Sequence, residues 1–215
     1  MKKTYLIIFL LVSLLLAGCS TQEEPVYYPL EPGNKWYYDM VLYGIIPLKA
    51  TMEVTEQTTI DNYETHAISL FIDDSPVPAA IEYYSHTKDG LILIQTQSLN
   101  GIFKYTPEHY FFSYPLKDNS IHTWDGSIKP LSSGIEEKVL ITTHTELLDS
   151  LTIPSGDYSD ILKITRVQQI QSDGHYIEVI DIHWFAKGIG KIREEMYIEG
   201  ELFSEATLTH YEVKK

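Results

Sequence analysis

Cysteine is all but absent from this chain: one residue in 215, Cys19. No intramolecular disulfide can form, so an exported domain here must be held by its core alone. Basic residues are scarce too, 16 Lys and Arg against 30 Asp and Glu. That surplus of negative charge repels phosphates and anionic headgroups. It excludes nucleic acid as an expected partner and excludes a basic membrane-binding patch. No apolar run reaches the about 20 residues that cross a bilayer as a helix. Motifs that carry chemistry are missing as well. There is no His-Glu-x-x-His, no cysteine pair, no calcium loop, no Gly-x-Ser-x-Gly elbow and no glycine loop opening a helix around phosphate. No metal, cofactor or catalytic residue is therefore expected.

What is present begins at the N-terminus. Met1-Lys2-Lys3 is positive, Tyr5 to Leu16 is a twelve-residue apolar stretch, and the small residues Ala17 and Gly18 follow. This is the pattern of an export signal. Leu16-Ala17-Gly18-Cys19 resembles the lipobox of bacterial lipoproteins. That resemblance implies a diacylglycerol on the Cys19 thiol, with palmitate-like chains, and cleavage before Cys19. It also implies a place in the cell envelope, on the exported side of a membrane. Each buried methylene contributes about 0.8 kcal/mol, so two chains anchor stably where one is marginal.

Removing residues 1–18 leaves 197 residues and takes Lys2 and Lys3 with them. The net charge moves from −14 to −16, 14 basic against 30 acidic residues. This length suits one domain. The expected organisation is a signal peptide over 1–18, a lipidated Cys19 with a short tether over 19–30, and a β-rich domain over 31–215. Ser20 to Pro29 is polar and aperiodic, and ten residues reach at most about 35 Å.

From Trp36 onward the apolar pattern has period two. Strands are expected over Lys35–Tyr43, Leu48–Gln57, Tyr63–Ile72, Ile81–Thr87 and Leu91–Gln97. Two short ones follow at Ile102–Tyr105 and Tyr110–Tyr114. The rest are Val139–Leu147, Asp160–Gln169, His175–Phe185, Lys191–Ile198 and Leu202–Val213. Hairpin turns are expected at Asp89-Gly90, Asp173-Gly174 and Glu199-Gly200. One short helix would fit within 98–137. The fold class is all-β and mainly antiparallel, roughly 11–12 strands by these signals after an N-terminal signal helix. It is a curved sheet closed as a barrel or half-barrel, or folded as a sandwich.

Three segments carry a second resemblance: "YPLEPGNKWYY" from Tyr28, "LTIPSGDYSDILKI" from Leu151 and "WFAKGIGKIREE" from Trp184. They are similar to a broad group of poorly characterised bacterial surface lipoproteins and exported proteins. Ser155, Tyr158 and Lys187 depart from that group's Ala, Phe and Pro. The resemblance carries no catalytic residues. It implies a β-rich curved sheet like the half-barrels of lipoprotein-carrier proteins.

Candidate sites are few. Trp36, Trp124 and Trp184 could line a ligand groove, although core filling explains them as well. Asp181 and His183 alternate on one strand face, as do His144 and Glu146, and zinc sites use such residues. Both pairs are expected on a solvent face, without metal. The function expected is non-enzymatic. A membrane-anchored envelope lipoprotein binds a protein partner or an apolar ligand such as an acyl chain. The alternatives are an envelope hydrolase acting on glycan or peptide, and a structural scaffold of an envelope complex.

Overall fold

The computed structural model describes residues 25–99, 101–130, 136–172 and 174–214. Residues 1–18, expected as a signal peptide, and Cys19 lie outside them. The strands are β1 (Lys35–Leu42), β2 (Ile46–Ile60), β3 (Tyr63–Ile72), β4 (Ala80–Thr87), β5 (Gly90–Ser98) and β6 (Gly101–Ser113). They continue as β7 (Ser120–Pro130), β8 (Glu137–Ile153), β9 (Gly156–Ser172), β10 (His175–Ala186), β11 (Gly190–Ile198) and β12 (Glu201–Glu212). Each pairs antiparallel with the next, and β12 returns to β1, with Tyr38 opposite Leu208 and Asp39 opposite Thr207. The result is a closed twelve-stranded barrel rather than a half-barrel or sandwich. Closure removes the free sheet edges that invite aggregation. There is no helix among the described residues.

Local chemistry sets the hairpins. Asp61-Asn62 and Glu199-Gly200 are two-residue turns with both residues at positive φ, 50° and 70° in the first and 51° and 80° in the second. Such turns match the twist of the strands they join. The two short strands expected around Pro107 are one, β6, whose residues 105–108 bulge out of the ladder with β5. β7, which carries Trp124, was not expected as a strand. β6 and β7 pair only over Phe103–Thr106 with Ser127–Pro130.

The β1–β2, β3–β4 and β11–β12 connections lie at one end of the barrel, here the mouth. The even connections, β2–β3 to β10–β11, and the chain before β1 lie at the other end, the base. Residues 25–34 plug the base, so residues 25–30, expected as part of a tether, pack against the barrel. Tyr27, Tyr28 and Leu30 are buried in the main core. The Tyr28 ring packs on Trp36, Tyr84 and Phe185 at 5.3–5.7 Å between centroids. Gly188 N–H donates to the Val26 carbonyl, and Asn34 donates its amide to the Pro29 carbonyl. Each buried aromatic removes about 150–250 Å² from water. At about 25 cal/mol per Å² that contributes on the order of 4–6 kcal/mol per ring as an upper bound.

The outer wall is built for water. Glu146 pairs with Lys163 at 2.7 Å, and Arg193 spans Glu195 and Glu205 at 2.5 and 3.1 Å.

Candidate functional site

Above the aromatic base the barrel interior turns polar. Alternation along β9 and β10 carries Arg166, Gln168, Asp181 and His183 inward, all nearly inaccessible to solvent. Asp181 and His183 are thus in the lumen, not on the solvent face expected for them. Ile180, Ile182 and Trp184 take the outer face. The physical reason is that a closed barrel this wide has room inside for polar side chains, some of them paired, although both His183 ring nitrogens and Asp181 Oδ1 find no hydrogen-bond partner. Arg166 lies 3.1 Å from His109 Nε2 and 3.8 Å from Asp181, with its guanidinium over the Phe111 ring at 4.9 Å. Gln168 donates to Asp181 Oδ2. Burial and then the Arg166 charge lower the His109 pKa to about 2, so this ring stays neutral. Among the described residues, no group of three or more His, Cys, Asp or Glu could hold a metal ion. His144 and Glu146 are on the outer face, 3.9 Å apart.

A pocket of about 90 Å³ lies in the mouth half of the lumen. Its walls are Tyr38, Met40, Ala50, Met52, Ile68, Leu70, Ala80 and Ala206, with Ser204 among them. Three charged side chains line it: Glu82 from β4, and Lys191 and Glu194 from β11. Lys191 is buried and donates to Glu194 Oε2. Burial alone would lower the Lys191 pKa, but the charges of Glu194 and Glu82 outweigh it and raise it. Burial alone would raise Glu194, but Lys191 and the nearby His183 hold this carboxyl well below the usual range. Tyr84 donates to Glu82 Oε2 at 3.0 Å, and Tyr38 donates to the Lys191 carbonyl at 2.8 Å. Burial raises both phenols, which therefore remain donors. The pocket joins apolar walls to a fixed set of charges, the usual form of a small-ligand site.

The three tryptophans do not share it. Trp36 is fully buried in the base, Trp124 closes a second small core with Val139 and Ile141, and Trp184 sits outside under Arg193. Sequence reasoning missed Glu82, Lys191 and Glu194. Their signal was a charged residue inside an otherwise alternating strand, which reads equally as a solvent face.

No protein-family model and no curated protein sequence matches this chain. Two solved structures are similar to it. One is a candidate lipoprotein from Parabacteroides distasonis, 14% identical, covering 89% of this chain and 100% of its own, with a TM-score of 0.55. The other is a candidate exported protein with a YmcC-like fold from Bacteroides fragilis, 12% identical, covering 87% and 99%, with a TM-score of 0.52. At these identities the likeness is one of fold.

Proposed function

We propose that this protein is an exported lipoprotein of the cell envelope that works by binding, not catalysis, and that its ligand or a partner's side chain occupies the lumen pocket. The apolar-walled pocket with its buried Lys191–Glu194 pair carries this reading. The lipobox-like Leu16-Ala17-Gly18-Cys19 supports the anchor, and the two similar structures, named as lipoprotein and exported protein, agree with that address. A scaffold without a ligand would need no such hollow. Hydrolysis of a glycan needs a carboxyl poised to give up a proton, with a raised pKa. Glu194 is shifted the opposite way and supplies a fixed charge instead.

The test has two arms. Cys19→Ala should give a precursor that keeps residues 1–18 and incorporates no labelled fatty acid. Normal processing and labelling of that variant would refute the anchor. Native mass spectrometry of the mature protein, purified gently from its own cells, should show a bound mass or a co-purifying envelope protein. Ala206→Leu, which fills the pocket, should remove it. A bound species that persists in Ala206→Leu would refute the lumen site.

A further inference from the structure

We infer that the pocket receives a lysine side chain presented by a protein partner; this rests on the lumen-binding reading and names its ligand. The charge balance comes first. Two carboxylates, Glu82 and Glu194, and one ammonium, Lys191, line the pocket. Lys191 donates to Glu194 and also feels the charge of Glu82, which takes Tyr84 on one of its oxygens, so the lining keeps one negative charge beyond its single ammonium. A carboxylate headgroup would be repelled by that surplus and a neutral one would leave it uncompensated. An ammonium complements it. The net negative charge of the whole chain acts in the same direction at long range.

Size and wall chemistry narrow the ligand further. The pocket is small, about 90 Å³, and its twelve lining residues enclose a short cleft. A long acyl chain does not fit, whereas a short straight stem with a compact head does. Met40, Met52 and Leu70 are adaptable apolar walls for methylenes. The point charge of an ammonium suits a narrow floor better than a planar guanidinium.

The rim identifies the carrier. Tyr43, Ile45, Ile46 and Val77 stand in or beside the β1–β2 and β3–β4 connections that frame the mouth, 60%, 79%, 44% and 65% exposed. A free amine would make no use of them. A protein surface would cover them, as apolar rims around a concave anchor site are covered elsewhere. A bilayer is the poorer occupant. Asp73, Asp74, Glu199 and Glu201 are exposed at the same end and repel anionic headgroups.

The experiment uses the purified mature protein and three probes at low salt, followed by NMR titration. The probes are acetyl-Leu-Lys-Leu-amide, its norleucine counterpart with the same stem and no ammonium, and n-butylammonium. The lysine peptide is expected to bind at least about tenfold tighter than the norleucine peptide. Glu82→Gln, which still accepts from Tyr84, should bring that ratio towards one. Ile45→Ser with Val77→Ser should weaken the lysine peptide and leave n-butylammonium unchanged. Equal binding of the two peptides, both abolished by Ala206→Leu, overturns the lysine assignment while the lumen reading stands. A lysine peptide no tighter than n-butylammonium, and indifferent to the rim variants, overturns the protein partner. If no probe binds, the lysine assignment falls, while a bound mass lost in Ala206→Leu would keep the lumen reading. Circular dichroism and Tm of each variant separate these outcomes from misfolding.

Discussion

Trp36 lies against Gly190 so closely that a Cβ on the glycine would come within 2.6 Å of the indole nitrogen. The same N–H donates to the Ile189 carbonyl at 2.6 Å. Two of the segments that carry the sequence resemblance, around Trp36 and around Lys187–Lys191, therefore meet at the base and lock β1 to the β10–β11 turn. Gly190 also holds a φ of 115°, which other residues resist. Gly190→Ala should cost about 2–4 kcal/mol through overpacking and backbone strain together. Urea unfolding measures it, and a change below about 0.5 kcal/mol would contradict the contact, since that is the range of a neutral surface substitution.

The base plug gives a paired prediction. The Tyr28 ring is buried among three aromatics, yet its hydroxyl has no protein partner. Tyr28→Ala should cost about 3–5 kcal/mol, as for other buried aromatic truncations. Tyr28→Phe should be neutral or slightly stabilising, because it removes an unsatisfied buried polar atom. If Tyr28→Ala leaves the thermal midpoint unchanged, residues 25–34 are a tether after all.

Acid should unfold the barrel through His109. Its folded pKa is about 2, below the ordinary value near 6.5. Between those values the unfolded chain binds a proton that the folded chain does not. Stability therefore falls as pH falls from about 6.5 towards 2, by up to about 1.4 kcal/mol per pH unit from this group. Glu194, depressed by Lys191, adds loss in the same direction below the ordinary carboxylate range. His109→Gln keeps an acceptor for Arg166 and should flatten the urea midpoint between pH 6 and 5. An unchanged slope there would show that His109 does not titrate as a buried neutral ring.

The Lys191–Glu194 pair should be worth little as a pair and much when broken. Lys191→Met leaves a buried carboxylate without its partner and should cost about 3–5 kcal/mol. Lys191→Met combined with Glu194→Leu should recover most of that loss. Additive losses in this double-mutant cycle would mean that the two residues do not interact.

Much of the wall was legible from period-two alternation, and the expected bounds of most strands fell within a few residues of the observed ones. The expected eleven to twelve strands agree with the observed twelve partly through two opposite errors. Pro107 split β6 in two, although the chain carries it in a bulge. β7 was missed because Ile121 is exposed and Gly126 interrupts the pattern, with the Trp124 ring where a Cβ would go. Alternation separates two faces without saying which is inside. On β10 the apolar face of Ile180, Ile182 and Trp184 turned outward and the face with Asp181 and His183 turned in. The pocket was out of reach for the same reason. Glu82 on β4 and the Lys191–Glu194 pair on β11 come from strands far apart in sequence and meet only when the barrel closes.

The plug at the base also fixes a direction. Only five residues lie between Cys19 and Pro25, the first described residue, a reach of about 20 Å at most. With lipid on Cys19, the barrel stands on its sealed end like a cup on a table. Its opening and apolar rim then look away from the bilayer, towards whatever approaches from the aqueous side.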